Sequence, residues 1–341
     1  MVGMRVLVTG AGGFLGSWLV EALVKEGHAV TALVRADSDT SFLEERLQGG
    51  PKAGQREGQC RVVNGDLTDK ASLRPAFEGA ETVFHLGAVM TLKASERPLL
   101  QSVNVGGTRN VVELCEELRI PKLVHVSSVV TIGASFTPEE ILNETSPNPT
   151  AACKIPNFES KREAEQIVLE AYRRGAIRAV VVNPSLIYGA GDARKSVRQG
   201  VVRAARGKLP AYTSGGVNIV AIEDVVQGIL SAWKRGREGE RYILAGENLT
   251  IRELFTEIAR AAGVPPPRRR IPRWLLLFMG RAADFLRFDG ALSYENALTA
   301  VLFHWFNAEK ARRELGFTAR PAREAIANSV AWMRQHGYLK D

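Results

Sequence analysis

Cysteine is scarce. The 341 residues contain three, Cys60, Cys115 and Cys153, too far apart for metal or redox spacing. A disulfide framework is not expected, and the composition fits a reducing, cytoplasmic setting. Long apolar runs are also missing. No stretch reaches the ~18 apolar residues that a spanning helix needs. The first apolar run, 6–8, reads as a strand and not as the core of a signal peptide. No basic stripe interleaved with aromatics is present, so nucleic acid is not an expected partner. No metal-ligand cluster, internal repeat or low-complexity tract appears. Neither charge sign dominates: 45 basic against 37 acidic residues give a net +8, which reads as a solvated surface.

What is present is a rhythm. Short apolar segments at Arg5–Thr9, Ala29–Val34, Cys60–Asn64, 82–86, 122–127 and 178–183 read as strands. Helical patterns at 15–26, 104–119 and 157–174 fall between them. Strands alternating with helices imply parallel βαβ units under helical layers. The expected fold is α/β, a doubly wound parallel Rossmann sheet with a smaller, mainly C-terminal substrate domain. Residues 1–190 form the dinucleotide-binding domain. Residues 191–341 are mainly substrate-binding, with the sheet completed by a segment near 217–245. The polar, glycine-rich stretch 37–59 reads as a loop or helix-loop. The run Val264-Pro265-Pro266-Pro267 is a linker that no helix can cross.

The strongest motif is Thr9-Gly10-Ala11-Gly12-Gly13-Phe14-Leu15-Gly16, set between the first strand and the first helix. Glycines at 10, 13 and 16 permit a tight turn, close approach of a pyrophosphate to backbone, and close helix–strand packing. The helix N-terminus then faces the phosphates. The second strand ends at Arg35, where an arginine accommodates a 2′-phosphate and an acid would take the ribose hydroxyl. Arg35 therefore favours NADP(H), and Asp37 two residues on leaves NAD(H) open.

Further along, Gly65-Asp66-Leu67, Phe84-His85-Leu86-Gly87-Ala88, Asn104-Val105-Gly106-Gly107-Thr108, Ser127-Ser128 with Gly133, and Pro184-Ser185-Leu186-Ile187-Tyr188-Gly189 follow in order. Ile222-Glu223-Asp224-Val225 and the segment 310–316 complete the set. With the glycine motif, these resemble the extended short-chain dehydrogenase/reductases over nearly the whole chain. The nearest groups are dihydroflavonol-4-reductase-like, 3β-hydroxysteroid-dehydrogenase-like and hopanoid-associated sugar-epimerase-like proteins. The resemblance implies cofactor contacts at Gly10, Gly13, Phe14, Leu15, Gly16, Arg35, Asp66, Leu67, Leu86, Gly87, Ala88, Lys161, Pro184 and Ile187. It also implies a small-molecule substrate and a homodimer joined through helices 104–119 and 157–174.

One position departs from the family pattern. The catalytic pair is a tyrosine four residues before a lysine, and Ser160-Lys161-Arg162-Glu163-Ala164-Glu165 matches the lysine side. Four residues before Lys161 stands Asn157. An amide can hydrogen-bond a carbonyl but cannot give up a proton near neutral pH. The catalytic candidates are therefore Ser128, Lys161 and Asn157 in place of the tyrosine. The reading is an NADP(H)-dependent oxidoreductase with altered proton transfer, of ketone/aldehyde reductase, dehydrogenase or sugar-nucleotide epimerase type. Two alternatives stay open: a cofactor-binding sensor or partner-binding protein with little turnover, and a non-redox lyase or isomerase. The segment 272–279, with basic neighbours, could dock on a membrane surface or a hydrophobic substrate, or cap the substrate domain.

Overall fold

The computed structural model describes residues 3–48, 60–91, 93–192, 199–288 and 292–339. The central sheet is seven-stranded and parallel. In chain order its strands are β1 (Arg5–Thr9), β2 (Ala29–Val34), β3 (Cys60–Asn64), β4 (Thr82–His85), β5 (Lys122–Val126), β6 (Ala179–Pro184) and β10 (Arg241–Leu244). In space they run β10-β6-β5-β4-β1-β2-β3. The chain builds outward from β1 to β3, then returns to β4 and builds the other way. That reversal opens a crevice at the carboxyl ends of β1 and β4, where such sheets bind ligands.

Both faces of the sheet are covered, so its strands are apolar on both sides and alternate in which layer they fill. Val6, Val8, Val124 and Val180 pack with α1 (Phe14–Lys25) and α8 (Ile222–Arg235). Leu7, Leu123, Ala179 and Val181 pack against the opposite layer, made by α3 (Lys70–Phe77), α5 (Gly107–Glu117) and α6 (Pro156–Arg173). The segment 104–119 differs from a simple helix. A single turn, α4 (Arg97–Leu99), runs into π-helical Leu100–Gly106 before α5 begins. Such π turns put an extra residue in the coil and often mark functional positions.

The expected completion of the sheet by 217–245 divides in two. Strand β10 does join the central sheet beside β6. Strand β9 (Gly216–Ala221) instead pairs with β7 (Leu186–Tyr188), β11 (Glu247–Thr250) and β13 (Phe303–His304) in a second sheet. The separation begins at Ser185, whose hydroxyl donates to Asn218 on β9 at 2.7 Å. Helices α9 (Ile251–Ala262) and α13 (Ala322–Gln335) cover this second sheet with Phe14, Tyr188 and Ile222. Helix α9 stops at Gly263, φ +75°, just before the proline run. Part of the 37–59 segment is helical, α2 (Ser41–Gln48), and 49–59 lie outside the described residues.

Candidate active site

The glycine loop closes over the crevice because side chains are absent where backbones meet. Gly10 has φ +68°, and a Cβ on it would sit 2.9 Å from the Gly87 Cα. On Gly87 a Cβ would reach the Leu67 side chain at 2.7 Å, so residues 10, 67 and 87 form one tight junction. Gly16 packs against the Gly10 carbonyl, and Gly13 is the N-cap of α1 with no side-chain cap on that helix end. Phe14 is 5% exposed and points into the second core, so what it offers a ligand is backbone. Leu15 packs against both cores.

Beneath the loop lies a chain of side chains from three strands and a helix. Thr9 Oγ1 accepts from the Leu86 and Gly87 N–H groups at 3.2 and 3.1 Å. Its hydroxyl proton is left for His85 Nδ1, 2.8 Å away. His85 Nε2–H then donates to Thr108 Oγ1 at 3.0 Å. Burial, and secondarily the charge of Lys161, push the His85 pKa down to about 3. His85 is therefore a neutral tie between β1, β4 and α5, not a proton shuttle. His125 on β5 lies beside it, ring centroids 5.3 Å apart, and its pKa is also driven down by burial first. Ala88 is exposed beyond this junction.

At the adenosine end, Arg35 is exposed and pairs with Asp37 at 3.4 Å. Asp66 accepts from the Thr68 N–H at 2.8 Å and the Thr68 hydroxyl at 2.7 Å. Those bonds hold its carboxyl below the usual range, with a smaller contribution from Arg35. The Leu67 carbonyl accepts from Asn110 at 2.7 Å.

At the opposite end, α6 and the π-helical stretch converge on the segment after β4. Asn104 accepts from the Val89 N–H at 2.8 Å and donates to the Val89 carbonyl at 3.0 Å. Asn157 repeats the pattern two residues on, accepting from the Thr91 N–H at 3.3 Å and donating to the Thr91 carbonyl. The two amides act as a side-chain ladder along 89–91. Asn104 also donates to Ser160 at 3.1 Å, coupling the π turn to α6. Lys161 lies one turn beyond Asn157, its charge acting on both His85 and His125.

Ser128 caps the turn after β5, its Oγ accepting from Val130 N–H at 3.4 Å. Its carbonyl accepts from Asn183 on β6 at 3.1 Å. Asn183 also donates to Glu165 Oε2 at 2.7 Å, and Thr131 donates to the same oxygen at 2.9 Å. Arg241 on β10 completes the arrangement by pairing with Glu165 Oε1 at 3.1 Å. Glu165 is thus a buried carboxylate with three partners from three elements. Pro184 ends β6 opposite Leu244, while Ile187 lies on β7 in the second sheet, so these two flank the crossing point.

Sequence reasoning missed the tie through Thr9, His85 and Thr108, the two hydrogen bonds between Asn157 and the Thr91 backbone, and the Glu165–Arg241 support of the Ser128 turn. Glu165 stands four residues after Lys161, one turn on along α6. That spacing was the available signal.

Residues 6–245 match the model of the NAD dependent epimerase/dehydratase family. Sterol demethylase protein B of Methylococcus capsulatus is 31% identical over 347 residues, covering 98% of this chain and 100% of that protein. The 2-alkyl-3-oxoalkanoate reductase of Stenotrophomonas maltophilia is 30% identical over 334 residues, covering 92% of this chain and 94% of that one. Among solved structures, gox2253 matches with a TM-score of 0.85 at 34% identity, covering 98% of this chain and 99% of that one. DesIV, a dTDP-glucose 4,6-dehydratase of Streptomyces venezuelae solved with NAD and TYD, shares the fold, with a TM-score of 0.78 at 21% identity over 99% of each chain. With the family model spanning the whole central sheet, this chain belongs to the NAD dependent epimerase/dehydratase family, the extended short-chain dehydrogenase/reductases, and is an oxidoreductase of that type.

Proposed function

We propose that the chain is an NADP(H)-dependent reductase of a lipophilic ketone or aldehyde in which Asn157 positions a loop and does not carry a proton. The observation that carries this reading is the pair of bonds between the Asn157 amide and Thr91. They occupy both ends of the amide on backbone.

The residues present fit a dinucleotide. At Gly10, Gly16 and Gly87 a Cβ would collide with neighbouring backbone or with Leu67, so the loop can close tightly only on glycines, and the uncapped N-terminus of α1 suits a pyrophosphate. Arg35 would hold a 2′-phosphate, Asp66, Leu67, Leu86 and Ala88 the adenosine side, Lys161 the nicotinamide ribose, and Pro184 and Ile187 the nicotinamide face. When bound, the nicotinamide supplies or accepts the hydride. The Ser128 hydroxyl, on a turn whose backbone carbonyl is held by Asn183, donates a hydrogen bond to the substrate carbonyl oxygen. The Lys161 ammonium stabilises the negative charge that grows on that oxygen. The proton is drawn from solvent water, which returns hydroxide to the bulk, since the Asn157 amide cannot supply one. This route replaces the usual phenol.

Two relatives named for sterol and alkyl-oxoalkanoate chemistry support a lipophilic substrate. The test is NADPH and NADH oxidation against long-chain ketones, aldehydes and sugar nucleotides. Turnover of the ketones with NADPH supports the reading, and turnover of the sugar nucleotides alone would overturn it. The second reading, a cofactor-binding protein with little turnover, is favoured by the missing phenol at 157. Tight NADPH binding without oxidation on any substrate would select it.

A further inference from the structure

Helix α10 (Arg273–Phe285) carries large apolar residues on the side that faces water. Its inner face is Leu276, Gly280 and Ala283, packed on α11 (Tyr294–Thr299). Gly280 lets the helices close: a Cβ there would lie 2.7 Å from the Ser293 carbonyl oxygen. The outer face holds Trp274, Phe278 and Phe285, which are 70%, 65% and 87% exposed. At about 100° per residue these three fall within ~40° of one another and ~180° from the inner face. Leu286 and Phe288 extend the exposed apolar surface past the helix end. A helix that buries one face normally carries polar residues on the other. Clustered exposure of this kind marks an interaction surface.

The charges around it select the occupant. Arg268, Arg269, Arg270, Arg273, Arg281 and Arg287 are all exposed, and Asp284 is the one acid in 268–288. A second copy of the chain would bring six more arginines against the same face, which disfavours self-docking. Aromatic side chains on the helix face, flanked by arginines whose stems can reach headgroup phosphates, match the surface of a bilayer.

We propose that α10 lies in the interface of an anionic phospholipid bilayer, with Trp274, Phe278 and Phe285 inserted and the flanking arginines on headgroup phosphates. The opposite, inner face of α10 packs on α11, and α11 adjoins the catalytic crevice. Glu295 of α11 pairs with Arg97 of α4 at 2.8 Å, and Ser293, Glu295 and Asn296 share a small cavity with Thr91 and Asn157. Delivery of a lipophilic substrate from the bilayer rests on the reductase reading. The docking itself does not.

The test is cosedimentation of the full chain with vesicles of one part phosphatidylglycerol to three parts phosphatidylcholine, and with phosphatidylcholine alone. NADPH oxidation with the long-chain ketone and aldehyde panel is measured on the same samples, so failure of docking and failure of the reductase reading register separately. Binding is expected to the mixed vesicles and to weaken at least about tenfold when salt rises from roughly 0.05 to 0.5 M. The triple variant Trp274→Ser, Phe278→Ser, Phe285→Ser should lose at least about tenfold in partitioning with an unchanged melting temperature, since these side chains face solvent. The variant Arg268→Gln, Arg269→Gln, Arg273→Gln should lose the preference for phosphatidylglycerol. Parent protein that stays in the supernatant with both vesicles overturns the proposal. So does a parent oligomer that the serine variant converts to a smaller species, because the face would then be covered by another copy.

Discussion

Asn157 is where two physical roles can be separated by substitution. Its amide donates to the Thr91 carbonyl and accepts from the Thr91 N–H at 3.3 Å. A net hydrogen bond is worth roughly 0.5–1.5 kcal/mol, so losing both costs about 1–3 kcal/mol. Asn157→Ala should therefore melt lower by several degrees. Asn157→Asp keeps the acceptor but faces the Thr91 carbonyl with a negative charge, so it should lose at least as much. Asn157→Tyr removes the same ladder yet places a phenol one turn before Lys161, whose charge favours the phenolate. If the missing acid limits the reaction, the hydride step should rise ~100- to 10,000-fold despite the lower stability. The assay is NADPH oxidation with the ketone and aldehyde panel, beside thermal denaturation of the same four proteins. Brisk parental turnover with no gain in the tyrosine variant would refute the limitation. An Asn157→Ala protein that melts with the parent would refute the positioning role.

Other expectations follow from the same geometry. Arg35→Ala should weaken NADP(H) by roughly ten- to a hundredfold and leave NAD(H) little changed, since one charge-assisted phosphate contact is worth about 1.5–3 kcal/mol; calorimetric titration with both cofactors reads it. His85 is neutral in the fold with a pKa near 3, below the unfolded value of 6.5. The unfolded chain therefore binds the extra proton, and stability should hold above pH 6.5 and fall by about 1.4 kcal/mol per unit as pH drops below it. His125, also depressed, adds to that slope, and a flat urea-denaturation profile between about pH 6.5 and 5 would refute the assignment. Glu165→Gln strips Arg241 of its buried counter-charge and should cost about 1–3 kcal/mol. Its kcat should fall more than its KM rises, because the Ser128 turn loosens while the glycine cradle stays intact. Light scattering is expected to find a dimer joined through α5 and α6, and a monomer at micromolar concentration would refute it.

The α/β alternation and the glycine loop were legible in the sequence because their causes are local. A buried parallel strand needs a short run such as Val6-Leu7-Val8, and a pyrophosphate turn needs glycines at fixed offsets, so neither depends on a distant partner. Lys161 and the vacancy of tyrosine at 157 were legible for the same reason, as positions on one helix face. What Asn157 does was not legible, since its partner Thr91 lies 66 residues away on a segment that the packing of α6 against the π-helical stretch brings near. Glu165 and Arg241, 76 residues apart, meet only because β10 crosses back to pair with β6, so their support of Ser128 is a property of topology. The same holds for the division of 217–245 between two sheets. In α10 the sequence by itself determined an apolar helix with arginines around it. Which of its faces remains in water was decided by α11, which can pack only where Gly280 allows close approach.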